Sequence, residues 1–165
     1  MITALTGFMG SGKSSAGRHL SALLALPFID LDEYIVHKTG HSIPELFQNG
    51  EDYFRAYEAE AVRDIISMNR VTGEDCVLAL GGGTFTMKPI RELVLENTTC
   101  IYLKASLETC LQRIKDHSSR PLLDVPGLYA ERVPLYELSP ICIETEGKTS
   151  EAVALEIQLK MSNFV

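Results

Sequence analysis

Eight residues near the start of the chain, Gly7-Phe8-Met9-Gly10-Ser11-Gly12-Lys13-Ser14, match the pattern G-x-x-x-x-G-K-[ST] in full. The chemistry this spacing serves is phosphate binding. Glycines allow successive backbone N–H groups to point into one concavity, and a helix that begins there adds the positive end of its dipole. A lysine at position 13 reaches the β- and γ-phosphates, and a hydroxyl at position 14 ligates Mg²⁺. The amides from Gly10, Ser11 and Gly12 through Lys13, Ser14 and Ser15 are the expected lining of that concavity.

Phosphate binding leaves the reaction open, so other side chains must supply it. Asp30 and Asp32, at the end of a short apolar run, are candidates for holding water on the Mg²⁺ and for accepting a proton from a substrate hydroxyl, respectively. Asp32 could equally cap a helix beginning at Glu33. Arg55 and Arg132 are far apart in sequence; brought together, two guanidinium groups would select an anionic acceptor through bidentate pairing. Read separately, both are ordinary solvated arginines on helices. Glu58 is an i,i+3 neighbour of Arg55 on the polar side of its helix. Arg120 lies in a polar, proline-containing stretch from His117 to Gly127 that has the composition of a lid, where it could meet a transferring phosphoryl group, and Arg113, just before it, could stack on adenine. The four histidines have no ligand-like spacing. Cys76, Cys100, Cys110 and Cys142 form no C-x-x-C pair and read as buried thiols in a reducing compartment.

The elements that must position these groups follow from hydrophobic periodicity. Ile2–Thr6 is a β-rich run directly before the glycine loop, and Ala16, Leu20, Leu23 and Leu24 mark a helix directly after it. Phe28–Asp32 reads as a second strand, with Asp30 and Asp32 on one side of it, followed by a helix from Glu33 to Thr39. Ser42 and Glu45 form a capping box for a short turn through Phe47. Glu51–Met68 carries Phe54, Tyr57, Ala61, Ile65 and Met68 in one helical stripe. Cys76–Leu80 is a strand apolar on both faces, ended by Gly81-Gly82-Gly83. A helix from Pro89 to Leu95, a strand over Cys100–Leu103, a helix capped by Ser106, the lid over about 117–127, a helix over Leu128–Leu138 and a strand over Ile141–Glu144 complete the alternation. The last segment alternates like a strand but has helical composition and a possible cap in Ser150, and is read as helix. Five short strands alternating with helices predict an α/β fold, a single domain over 1–165 with a five-stranded parallel sheet between helix layers. Ligands in such sheets sit at the carboxyl ends of the strands, where the glycine loop, the Asp30/Asp32 pair and Gly81–Gly83 all fall.

Composition agrees with one globular domain: 165 residues, 45% hydrophobic and 22% charged. A net charge of −7 argues against nucleic acid or an anionic membrane as partner, so an anionic ligand must be met by a local positive cluster. No signal-like opening segment and no apolar run of membrane length occur, which makes a cytoplasmic location and a monomer the expectation.

Taken in order, Gly7 to Ser14, Asp30-Leu31-Asp32, Phe47-x-x-Gly50-Glu51-x-x-Phe54-Arg55-x-x-Glu58, Gly81-Gly82-Gly83, Arg120-Pro121-Leu122-Leu123 and Arg132-x-Pro134-Leu135-Tyr136 closely resemble the shikimate kinases along nearly the whole chain. The resemblance implies an adenylate-kinase-like P-loop fold, ATP and Mg²⁺ as co-substrate and metal, and transfer of the γ-phosphoryl to the 3-hydroxyl of shikimate. It further implies that Asp32, Arg55, Gly81, Gly82 and Arg132 bind shikimate, with both arginines on its carboxylate. Lys13 and the loop amides would hold the phosphates, Arg120 the transferring group, and Glu58 would orient Arg55. Gluconate and nucleoside-monophosphate kinases share the loop and fold but not the Asp32/Arg55 constellation. A P-loop nucleotide switch would carry an N-K-x-D stretch, which this chain lacks.

Overall fold

Residues along the strands alternate between two separate cores, which is what places helices on both faces of the sheet. The computed structural model describes residues 1–115 and 124–164. Its five strands are β1 (Ile2–Thr6), β2 (Phe28–Asp30), β3 (Cys76–Ala79), β4 (Thr98–Lys104) and β5 (Ile141–Glu144), all parallel and ordered β2-β3-β1-β4-β5. Ile2, Ala4, Cys76, Leu78, Cys100 and Tyr102 point into one core, while Leu5, Val77, Ile101 and Leu103 point into the other. Period-two alternation sends neighbours to opposite faces, so the near-continuous apolar runs of β1, β3 and β4 mark strands covered on both sides. β5 lies at the edge: Ile141 and Ile143 are buried, Cys142 and Glu144 exposed. The other three cysteines are buried as expected, and Cys142 is not.

The first face is covered by α2 (Leu31–Thr39), α3 (Ile43–Phe47), α4 (Glu51–Thr72), α5 (Lys88–Asn97), α6 (Leu107–Lys115) and α7 (Val125–Tyr136), and the second by α1 (Lys13–Leu24) and α8 (Ser150–Phe164). A 3-10 turn over Thr84–Thr86 follows the triple glycine. The capping box on α3 is present in full, and the Ser106 hydroxyl accepts from the Thr109 amide at the start of α6.

Several boundaries differ from the sequence expectation, and four element ends show a local reason. β2 ends at Asp30, whose Oδ1 accepts from the Asp32 and Glu33 amides at 3.0 and 3.3 Å, so the helix starts at Leu31 and Asp30 rather than Asp32 is its cap. The two aspartates therefore leave the strand–helix junction in different directions, not side by side along one strand. α4 runs one turn beyond Met68, until Gly73 takes the left-handed conformation at its end. α7 begins at Val125, inside the expected lid, because Asp124 accepts from the Gly127 amide at 3.0 Å and Pro126 suits a first helical turn. The last segment is helical as read, but Thr149 accepts from the Ala152 amide in the capping role expected of Ser150.

Gly17 shows how tightly α1 is laid on the sheet. A Cβ at this position would fall 2.5 Å from Phe28 Cε2 and 3.3 Å from Leu5 Cδ1, and the Phe28 ring is in turn covered by the Arg18 guanidinium at 4.8 Å. Alanine in a helix gains about 1 kcal/mol over glycine, whereas overpacking costs roughly 1–3 kcal/mol. Gly17→Ala is expected to lower stability by about 1 kcal/mol, and a raised urea midpoint would show that the helix–strand contact has room to spare.

Candidate active site

The cleft follows from the crossovers. After β1 the chain crosses to the α1 face of the sheet, and after β3, the strand beside it, the chain crosses to the opposite face and α5. Neighbouring strands whose continuations part in this way open a crevice at their carboxyl ends. Residues 7–14 line one wall and Gly81–Gly83 the other.

The donor wall is built from glycine conformations. Gly7, Gly10 and Gly12 have φ of 149°, 77° and 92°, values that residues with a Cβ rarely adopt. Close packing adds a second requirement, since a Cβ on Gly7 would lie 2.6 Å from the Leu103 carbonyl oxygen and one on Gly10 2.8 Å from that of Cys110. Gly12 is the N-cap of α1, so the amides of the first helical turn, Lys13, Ser14 and Ser15, have no carbonyl within the helix to bond and face the concavity. Lys13 Nζ crosses the loop and donates to the carbonyls of Gly7 and Phe8 at 2.8 and 2.9 Å. Ser14 Oγ donates to Asp30 Oδ2 at 2.5 Å, which brings the expected metal ligand beside the carboxylate expected to hold its water. Arg113 Nη1 donates to the Gly10 carbonyl at 3.0 Å and so clasps the loop from α6.

Arg55 and Glu58 stand at the heart of the acceptor wall, and here the sequence expectation of a solvated polar face fails. The Glu58 side chain is 0% exposed and that of Arg55 13%, with Nη1 donating to Glu58 Oε2 at 2.8 Å. The guanidinium lies against the triple glycine: a Cβ on Gly83 would fall 2.2 Å from Arg55 Nη2. Gly81 packs as closely, with its Cβ position 3.0 Å from Glu58 Oε1, 2.8 Å from Thr84 Oγ1 and 3.5 Å from Asp32 Oδ1. The space a Cβ would fill is thus taken by the Arg55 guanidinium at Gly83 and by Thr84 and Glu58 at Gly81. Arg132 is only 6% exposed, and Gly82 joins it to the donor wall, its Cβ position lying 3.8 Å from Arg132 Nη1 and 3.2 Å from the Met9 amide nitrogen.

The structure thus brings Asp32, Arg55, Glu58, Gly81, Gly82 and Arg132 to one place beside the phosphate loop. Arg120, and the lid residues 117–123, lie outside the described residues. Tyr136, which closes the Arg132-x-Pro134-Leu135-Tyr136 stretch but has no role assigned from sequence, sits one helical turn after Arg132, is fully buried between Phe85 and Tyr102, and donates its hydroxyl to the Gly82 carbonyl. Glu146, likewise without a role in the sequence expectation, accepts from the Ser106 amide at 2.6 Å and from Thr109 Oγ1 at 3.0 Å and thereby fixes the start of α6. Its signal, an acid lying opposite a helix N-terminus, cannot be seen in a chain read linearly.

Electrostatics follow from burial. Burial pushes the Glu58 carboxyl above the ordinary carboxylate range, Arg55 pulls it back, and Asp32 adds to the upward shift. Burial likewise raises the Tyr136 phenol against the pull of Arg132, so the hydroxyl stays protonated and available to Gly82. Arg55 is held charged: burial opposes its charge, but Glu58 and Glu51 outweigh that cost.

Comparison with known proteins points to one family. The shikimate kinase family model matches residues 9–162. Shikimate kinase from Thermus thermophilus is 42% identical, the match covering 97% of this chain and 89% of that protein. Among solved structures, the shikimate kinase from Acinetobacter baumannii in complex with shikimate superposes with a TM-score of 0.86 at 36% identity, over 98% of this chain and 93% of the other. The enzyme from Aquifex aeolicus gives 0.85 at 33% identity, over 99% and 98%.

Two outcomes are expected from this arrangement. Tyr136→Phe leaves the buried Gly82 carbonyl without its donor and should cost about 1–3 kcal/mol of unfolding free energy; an unchanged denaturation midpoint would show that the bond contributes nothing. Because the folded state holds the Glu58 proton more tightly than the unfolded chain, this group contributes stability below the ordinary carboxylate range that is lost as pH rises through its raised folded value. Glu58→Gln should therefore gain on the parent protein as pH is raised from about 4 to 7, and a stability difference independent of pH would overturn the upward shift. By the extent of the family match and the identity to its relatives, the chain belongs to the shikimate kinase family.

Proposed function

We infer that this chain carries out its family's reaction, ATP-dependent phosphorylation of shikimate, using the two walls of the cleft as donor and acceptor halves of one site. The observation that carries the reading is the convergence of Asp32, Arg55 and Arg132 on Gly81–Gly83, whose middle residue packs against the phosphate loop at Met9. Two guanidinium groups, both largely withdrawn from water, suit the single carboxylate of a hydroxylated acid, because a desolvated bidentate pair is stronger than an exposed one. Asp32 is the carboxylate that takes the proton of the 3-hydroxyl as it attacks the γ-phosphorus. Glu58 fixes the Arg55 guanidinium through Nη1.

On the donor side, the amides of residues 10–15 and the Lys13 ammonium hold the β- and γ-phosphates of ATP. Phosphoryl transfer asks chiefly for positioning and charge neutralisation, and the γ-phosphorus travels from the loop wall to the acceptor hydroxyl while ADP leaves as the other product. Ser14, joined to Asp30, presents hard oxygen donors suited to Mg²⁺, which would neutralise charge on the phosphates when bound. Asp30 would hold the ion through water. Arg120 meets the transferring group, and Arg113, already anchored to the loop, flanks adenine. Among the described residues no helix is long and apolar enough to cross a membrane; the reading takes the chain as a cytoplasmic monomer, which sedimentation at micromolar concentration checks.

Measuring ADP release with ATP, Mg²⁺ and each candidate acceptor tests the function directly: shikimate should stimulate turnover, and stimulation by gluconate or a nucleoside monophosphate without shikimate activity would overturn it. Arg55→Ala should weaken shikimate by roughly 10- to 150-fold while leaving ATP within about twofold, the loss expected when a charge-assisted pair is broken; equal losses for both ligands would remove Arg55 from the acceptor half. Lys13→Ala should abolish transfer while the far-ultraviolet circular dichroism of the parent is retained.

A further inference from the structure

Arg55 is held by two carboxylates, and the reaction needs only one of them. Nη1 is fixed by buried Glu58, whereas Nη2 donates to Glu51 Oε1 at 3.1 Å from one helical turn before. Glu51 differs from Glu58 in every respect that bears on its role: its side chain is 64% exposed, it lies in the first turn of α4, and it sits on the outer side of the guanidinium. Its charge is not required to start the helix, because Asp52 places a second carboxylate in the same turn. Resting on the reading that Arg55 binds the substrate carboxylate, we propose that Glu51 is an internal competitor for that guanidinium, an anion built into the chain that occupies Nη2 until the substrate's own carboxylate displaces it.

The competition is modest in size and specific in kind. An exposed ion pair one helical turn apart is weak, so Glu51 yields to a ligand, and the apparent affinity falls by the fraction of time Nη2 is taken. Its effect applies to an acceptor that brings a carboxylate and is absent for one that does not. With Glu51 and Glu58 both in place, the guanidinium also keeps its partners and its orientation when the acceptor half is empty.

Steady-state kinetics of Glu51→Gln, with Asp52→Asn as control, separate this role from a structural one. Removing the Glu51 charge should lower KM for shikimate by about two- to fivefold, the worth of an exposed pair, with kcat and the KM for ATP within about twofold of the parent. The methyl ester of shikimate, which lacks the anionic carboxylate, should show no such gain. Asp52→Asn removes an equal charge from the same turn without touching Arg55 and should leave the shikimate KM in place. An unchanged or raised shikimate KM in Glu51→Gln, an equal gain with the ester, or an equal gain in Asp52→Asn would overturn the competitor role. If Arg55→Ala fails to weaken shikimate, the carboxylate assignment itself falls; if Arg55→Ala weakens it and Glu51→Gln does not improve it, only the competition is lost.

Discussion

The acceptor half depends on one ion pair kept out of water. A guanidinium buried beside the Gly83 backbone would be prohibitive alone, and a carboxylate buried like Glu58 would sooner take up a proton. Together, 2.8 Å apart, each lowers the cost of the other, and the residual strain shows in the upward push on Glu58. Replacing such a pair by apolar residues would stabilise many folds. Here the pair serves to present a charged donor edge at a fixed position, which an apolar filling cannot do.

The same demand explains the triple glycine. Arg55 at Gly83, and Thr84 and Glu58 at Gly81, stand in the space a Cβ would take. Charged groups can converge this closely only around a strand end stripped of side chains. Gly82 then mediates between the two halves, with its carbonyl taken by Tyr136 and its α-carbon facing both Met9 and Arg132. A shift of the loop after β3 would consequently move the acceptor arginine and the phosphate loop together, so the distance between donor and acceptor is set by backbone packing more than by flexible side chains.

Much of the fold could be read from the chain because it is written in local patterns. The alternation of β1, β3 and β4, the capping box at Ser42 and the glycine loop with its following helix all appear as read. Errors arose where two local signals competed: Asp30 and Asp32 both suit a helix cap, and Asp124 with Pro126 carries a helix start inside a stretch whose overall composition resembles a loop. Burial of Arg55, Glu58 and Arg132 was not legible from charge or periodicity, since an arginine and a glutamate at i,i+3 look the same on a solvated face as in a sealed pocket. Only the resemblance of the ordered motifs to a known family pointed there, and the distances around Gly81–Gly83 supply its physical reason.

What distinguishes the two walls is how each meets negative charge. The phosphate wall uses backbone amides, a helix terminus and Lys13, groups whose donors are fixed by the fold and carry little side-chain entropy. The acceptor wall uses long side chains, and long side chains must be restrained before they can select. Glu58 restrains Arg55 from within and Glu51 from the solvent side, while Tyr136, at the end of α7, ties the helix that carries Arg132 to the Gly82 carbonyl. A chain with net charge −7 thus assembles a site for two anions by spending several of its own carboxylates on holding the cations still. It follows that the acidic residues nearest the arginines set how sharply the site distinguishes a charged acceptor from a neutral one.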